Sequence, residues 1–260
     1  EYPTPECRRN ALDTRSIGVG LQGLADVCAI LRIPFLSTVA NSLKDSIVET
    51  MYYAAVMEST ELAREYGPYP FYDGSPASRG KLHHDLYDEE MTRRERGVPY
   101  ATRCDWTAAR AAVALYGLRN SLLIALMPTV TTSQILGNNE SFEAFESNIY
   151  AKTTQHGKFT ITNQHMIRHL IELGIWNETI CAQIIAANGS VQGIAEIPPA
   201  VREIYKTVYE LRAPAIIDSV ARMQRFVDQG LSLNMYLTDN SDARMASAFR
   251  YAPKTGLKTC

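Results

Sequence analysis

Ser121-Leu122-Leu123-Ile124-Ala125-Leu126-Met127, followed at once by Pro128-Thr129-Val130-Thr131-Thr132-Ser133, is the passage on which the fold turns. The unbroken apolar run from Leu122 to Met127 predicts a strand buried on both faces, the pattern of parallel sheets covered by helices. Pro128 has no N–H to give to a ladder and ends the run. The hydroxyl-bearing residues beyond it open a segment predicted to be helical. A helix start leaves its first N–H groups without intrahelical acceptors, and its dipole favours negative charge there. This predicts an anion site at Pro128, Thr129, Val130, Thr131 and Thr132, with amides and hydroxyls as donors. The stretch lacks the lysine of a Walker loop. Its hydroxyls are equally suited to capping the helix, and spacing alone favours neither role.

Working outward, apolar residues from Asn41 to Tyr66 recur at three- and four-residue steps (Leu43, Ile47, Met51, Ala54, Ala55, Leu62), and Gly67-Pro68 closes this helix. Turn formers fill 67–80. The charged run from Asp85 to Arg103 reads as a solvated excursion. A short helix is expected from Trp106 to Tyr116, and a short strand from Lys158 to Thr162. Asn163 and Asn177 are placed to cap two further helices, Pro198-Pro199 opens a third, and Pro214 starts a fourth. Phe226 to Leu237 ends in alternating apolar residues and reads as a strand candidate. Strands with intervening helices make an α/β pattern, and with no internal repeat or linker residues 1–260 read as a single partial domain.

The 260 residues carry 26 basic and 28 acidic side chains, so a net charge of −2 gives no electrostatic case for nucleic acid or an anionic membrane. The longest apolar stretch falls far short of the roughly 20 residues that span a bilayer. The chain opens on Glu-Tyr-Pro with no export signal, as expected of a processed or partial chain. Cys7, Cys28, Cys104, Cys181 and Cys260 are widely spaced, which suits a reduced, intracellular protein. No metal site is expected: His165 and His169 stand at i, i+4 but without a carboxylate motif, and read as surface histidines.

Two other stretches invite a functional reading. Gly18-Val19-Gly20-Leu21-Gln22-Gly23 spells the dinucleotide fingerprint, but no apolar strand precedes it. Glycines that let Leu21, Leu24 and Val27 pack closely are the better account. Gly137-Asn138-Asn139-Glu140-Ser141, with Glu143, Glu146, Ser147 and Asn148, could bring carboxylates together for acid–base work, yet reads as a polar loop.

Taken in order, several stretches resemble the C-terminal part of the large, catalytic subunit of class I ribonucleotide reductases. They are Tyr2-Pro3-x-Pro5-Glu6, Ile17-Gly18-Val19-Gly20-Leu21-Gln22-Gly23-Leu24-Ala25-Asp26, Gly74-Ser75-Pro76-Ala77-Ser78-x-Gly80, Gly117-Leu118-Arg119-Asn120-Ser121-Leu122-Leu123-Ile124-Ala125 and Met127-Pro128-Thr129. Ser133-Gln134-Ile135-Leu136-Gly137-Asn138-Asn139-Glu140, Ser147-Asn148-Ile149-Tyr150, Asn188-Gly189-Ser190-Val191-Gln192, Tyr205-Lys206-Thr207-Val208, Phe226-Val227-Asp228-Gln229 and Gly256-Leu257-Lys258-Thr259 continue the series. The resemblance runs from end to end. It implies the second half of a ten-stranded α/β barrel plus C-terminal helices, and reduction of ribonucleoside diphosphates by a thiyl-radical mechanism for DNA precursor synthesis.

By the same resemblance, Pro128 to Thr132 holds the substrate diphosphate. The family pattern there is M-P-T-A-S-T, from which Val130 and Thr131 depart; Thr131 keeps a hydroxyl, and Val130 adds bulk beside the phosphates. No catalytic residue is expected in this segment, because the radical and redox cysteines belong upstream of Glu1 and the tyrosine pair of the radical path beyond Cys260. The fragment alone is therefore expected to be inactive and, as half a barrel, to associate through open strand edges. The complete cytoplasmic enzyme is expected to use a small-subunit radical metallocofactor, thioredoxin or glutaredoxin as reductant, and ATP/dNTP effectors. Its expected partners are the remainder of the large subunit, the radical-generating small subunit and a second large subunit. The alternative is a catalytically inactive, reductase-like paralogue acting as an interaction protein, with the charged run 85–103 as its contact.

Overall fold

The structure, a computed structural model, describes residues 1–154, 157–236 and 241–259. The run at 121–127 is extended and buries Leu123, Ile124 and Leu126 almost wholly, but Leu122 and Met127 are exposed, so it is not covered on both faces along its length. Its backbone groups do not make a regular ladder, and only Ile124 forms a bridge, parallel, to Val19. The rest of its polar groups are accounted for singly. Ile17 N–H donates to Leu122 O, Val19 N–H to Leu123 O and Ala125 N–H to Val19 O. The amides of Leu123 and Ile124 both donate to the Asp228 carboxylate, each at 2.8 Å. The expected strand is thus an extended segment held on one side by residues 17–19 and on the other by an aspartate.

Helices make up most of the rest, and local signals explain them. α1 (Pro5–Thr14) and α2 (Leu24–Ile30) precede α3 (Thr38–Tyr66), whose Ser37 side chain accepts from Ala40 N–H and whose C-terminal end turns at Gly67. α4 spans His83–Arg93, and α5 spans Trp106–Tyr116 under an Asp105 cap. α6 is the short helix Val130–Leu136. Two strands, β1 (Ile149–Thr154) and β2 (Gly157–Thr162), form an antiparallel hairpin that contains the expected strand at Lys158. α7 (Gln164–Glu172) and α8 (Glu178–Ala186) start at the predicted caps, Asn163 and Asn177. α9 (Pro199–Ile204), α10 (Ala213–Gln224) and α11 (Asp242–Tyr251) complete the order.

Two apolar cores result. The larger joins α3, α5, α10, the 121–127 segment and 226–233, around Tyr52, Trp106, Ile124 and Phe226. There the Trp106 ring stacks on Phe226 with centroids 5.5 Å apart, and its Nε1–H donates to Glu49 Oε1 at 3.0 Å. The smaller core gathers α2, α7, α8 and α9 around Met166, Leu170, Ile184 and Tyr205.

Three expectations are corrected. The charged run is not a solvated excursion over its first half: α4 buries His84, Tyr87 and Met91, and its acids meet partners, Asp85 with Arg110 and Asp88 with Arg225. Alternating charged and apolar residues at helical spacing, not charge density, decide that segment. The strand candidate after Phe226 is irregular chain through Tyr236, because its alternating Leu231 and Leu233 pack into the core without a neighbouring strand to pair with; Leu237 lies outside the described residues. Neither member of the His165/His169 pair is a free surface group. His165 Nε2 lies 3.1 Å from Asp26 Oδ1, and buried His169 meets the Tyr205 hydroxyl through Nδ1 at 3.1 Å.

Candidate functional site

The three stretches singled out in the sequence meet in one place. Residues 19–23 lie against the 121–127 segment because two glycines permit it. A Cβ on Gly20 would sit 2.8 Å from Ala125 O, a distance side-chain carbons do not tolerate. Gly23 (φ +77°) turns the chain into α2 in a conformation that favours glycine, and its N–H donates to Asn139 O at 3.0 Å. Asp26, one turn into α2, accepts from Asn139 N–H at 2.7 Å through Oδ2. The close-packing account of this glycine stretch therefore describes it, with Leu24 buried and Leu21 packed against the core.

Thr129 ends the extended segment with φ +48°, left-handed backbone for a β-branched residue. Such a conformation costs on the order of 1–3 kcal/mol unless its surroundings compensate. Here Thr129 O accepts Ser133 N–H at 2.9 Å, its hydroxyl lies 2.7 Å from the Ser133 hydroxyl, and the same oxygen accepts Ser141 N–H at 2.9 Å. The Thr129 side chain is thus committed to bracing the helix start. The Thr132 hydroxyl donates to Gln22 Oε1 at 3.0 Å. Pro128, Val130, Thr131 and Thr132 are exposed. The amides of the first turn of α6 lack intrahelical acceptors, and the residues that carry them, Val130, Thr131 and Thr132, are exposed. Pro128–Thr132 are neither engulfed in hydrocarbon nor part of the cavity described next.

That cavity, of about 420 Å³, lies at the other end of α6, lined by Ser133, Asn138, Asn139, Glu143, His165 and Tyr236 among others. The polar loop 137–148 forms one wall, and only part of it is solvated: Ser141, Glu143 and Asn148 are buried. Burial pushes the Glu143 carboxyl up to about 7, although the Asn234 backbone and side-chain amides donate to its Oε1 at 3.2 Å each and pull it down. A carboxyl that holds its proton more tightly when folded contributes stability below its unfolded value, about 4.5, and loses it as pH rises through 7. Glu143→Gln is expected to remove about 3 kcal/mol of decline in unfolding free energy between pH 4.5 and 7.5. Denaturant titrations across that range check this, and an unchanged pH slope would contradict it.

Gln22, Ser141 and His165 fall in stretches that the sequence singled out for other roles, and Asp26 stood only among the residues of the family resemblance; the sequence did not show that the four meet here. Each reaches the site across more than a hundred residues or through a loop, and no local spacing carries that information. Among the described residues no cluster of histidine, cysteine and carboxylate side chains could hold a metal ion, and no helix is long and apolar enough to cross a membrane.

Among the described residues, helices surround a central extended segment and one two-stranded hairpin, and that segment delivers a hydroxyl-rich helix start to the surface. The comparisons with known proteins give the family. The family model for the ribonucleotide reductase barrel domain matches residues 1–260. The Trypanosoma brucei brucei ribonucleoside-diphosphate reductase large subunit is 48% identical over 99% of this chain and 31% of its own length. The Caenorhabditis elegans large subunit is 44% identical over 99% of this chain and 32% of its own. The solved alpha subunit of an Actinobacillus ureae class Id ribonucleotide reductase superposes with a TM-score of 0.74 at 24% identity, covering 98% of this chain and 40% of that one. The chain belongs to the ribonucleotide reductase barrel-domain family. It spans about a third of the length of these curated relatives.

Proposed function

We propose that the complete protein reduces ribonucleoside diphosphates to deoxyribonucleoside diphosphates, and that this chain contributes the substrate's diphosphate site at Pro128, Thr129, Val130, Thr131 and Thr132. The observation that carries this is the start of α6. Its first residues, Val130, Thr131 and Thr132, are exposed where the extended segment ends, while the Thr129 hydroxyl bonds Ser133 and Ser141 and braces the turn. Amides at a helix start, reinforced by hydroxyls, suit a dianionic phosphate without a lysine. Relatives named as ribonucleoside-diphosphate reductase large subunits, at 44–48% identity, favour this reading over that of an interaction protein.

In this reading the chain binds and orients the substrate and does not perform the chemistry at the ribose. Radical abstraction of the 3′ hydrogen, and reduction by a cysteine pair, fall to other parts of the subunit. The Cys28 thiol, buried on α2 with its pKa raised by that burial, is poorly suited to either role. The complete enzyme would work with a radical-generating small subunit, a thioredoxin- or glutaredoxin-type reductant, ATP/dNTP effectors and a second large subunit.

Thr131→Val and Thr132→Val in the complete subunit are expected to weaken nucleoside-diphosphate binding by about 1–3 kcal/mol together, roughly 5- to 150-fold. Equilibrium binding of the substrate to the purified subunit measures this. Unchanged affinity in the double variant would reject the assignment.

A further inference from the structure

α6 has almost nothing apolar to hold it in place. Of its seven residues only Ser133 is buried, and Ile135 and Leu136 stand 76% and 70% exposed. Its position is therefore set by polar contacts. Thr129 and Ser133 brace the start, and Asn138 N–H returns to Ser133 O at 3.0 Å to close the end. One side chain from outside ties both ends: Gln22 accepts from the Thr132 hydroxyl through Oε1 at 3.0 Å, and donates through Nε2 to Asn138 Oδ1 at 3.2 Å.

Gln22 itself is firmly mounted. On one side Val19 N–H donates to Leu123 O at 2.8 Å and Ala125 N–H to Val19 O at 3.0 Å; on the other, Gly23 N–H donates to Asn139 O. Gly20 lets this mount touch the Ala125 backbone directly.

We propose that Gln22 is a positioning residue for the substrate diphosphate, holding Thr132 and the first turn of α6 where the phosphates are received. The inference rests on the reading of Pro128–Thr132 given above. It is sharpened by counting protons. The Thr132 hydroxyl has one proton and two acceptors within reach of it, Gln22 Oε1 at 3.0 Å and Thr129 O at 3.2 Å. When that proton goes to a phosphate oxygen instead, Gln22 keeps its hold on Thr132 by donating to it. A glutamine amide turned over offers Nε2 to Thr132 Oγ1, and Asn138, turned likewise, donates Nδ2 to Gln22 Oε1. Glutamine thus serves both the free and the loaded site, because it carries an acceptor and a donor on one rigid plane. Methionine of similar length does neither.

The test uses the complete large subunit assayed with its small subunit and a dithiol reductant, on Gln22→Met, Thr132→Val and the double variant. Gln22→Met is expected to raise KM for the nucleoside diphosphate about 3- to 10-fold, the scale of one lost hydrogen bond, with kcat changed less than twofold. In the double variant KM is expected to rise no further than with Thr132→Val alone, because the two side chains act through one contact. A merely structural role would lower kcat or the folded fraction and leave the two effects independent. Should Gln22→Met fold poorly, Gln22→Asn, which keeps the amide but falls a methylene short, is expected to raise KM in the same way. If Thr132→Val raises KM while Gln22→Met and Gln22→Asn leave it unchanged, this inference fails and the diphosphate reading stands. Multiplicative effects in the double variant also overturn it. If neither Thr131→Val nor Thr132→Val changes KM, the diphosphate reading fails and takes the inference with it.

Discussion

Replacing Trp106 with alanine is expected to cost about 3–5 kcal/mol of folding free energy, the range for deleting a large buried aromatic ring. The ring is 4% exposed and touches four others: Phe226 stacked at 5.5 Å, Tyr52 at 5.6 Å, Tyr53 edge-on at 5.3 Å and His84 at 4.2 Å between centroids. Its removal opens a void between α3, α5 and the chain after α10, which those elements cannot close without moving one another. It also takes a donor from Glu49, a buried carboxylate whose Oε1 gathers the Arg103 amide, the Cys104 amide and the indole N–H within 3.0 Å. Trp106→Phe separates the two contributions. It keeps most of the ring and loses the donor, and is expected to cost about 1 kcal/mol, since two amides still serve the carboxylate. Chemical denaturation of both variants measures the difference; a loss below about 1 kcal/mol for the alanine variant would show that the stack does not hold this core.

Asp228→Ala is expected to have a comparable effect, about 2–5 kcal/mol, by a different route. One carboxylate oxygen accepts from the amides of Leu123 and Ile124, both at 2.8 Å, in the middle of the segment that leads to the proposed diphosphate site. Those residues are buried, so removing the acceptor strands two donors away from water, each at about 1–3 kcal/mol. Asp228→Asn leaves one oxygen able to accept both amides and is expected to recover at least half of the loss. Equal destabilisation by alanine and asparagine would mean that the charge, not the pair of hydrogen bonds, matters at this position. Asp228 also stands close enough to Lys258 for their charges to interact, a second route by which the asparagine variant loses stability.

The helices were legible because their signals are local. Asn163 and Asn177 accept backbone amides at the starts of α7 and α8, and Gly67 and Gly117 end α3 and α5 where chain flexibility is needed. The apolar run at 121–127 reads as a buried strand; the structure buries Leu123, Ile124 and Leu126 but exposes Leu122 and Met127, and whether such a run forms a ladder depends on neighbours that the run does not encode. Its amides turn to Asp228, more than a hundred positions away. The charged run misled for a related reason: Asp88 reads as solvent-facing until Arg225 is seen beside it. The site was half visible. Thr129 to Ser133 announced a helix start with spare donors, and the glycine stretch announced close packing. That the two are one structure follows from Gln22 and Asp26, whose partners no spacing rule connects.

The meeting of residues 19–26 with 121–141 has a consequence for the birth of the molecule. A chain leaving the ribosome exposes Gln22 and Asp26 long before their partners exist, and nothing can close around them until Asn139 and Ser141 have emerged. α3 and α5 can form and pack in the interval from contacts closer in sequence, so the proposed diphosphate site assembles after them. A polypeptide stalled or cleaved before that point would keep good helices and lack the proposed site.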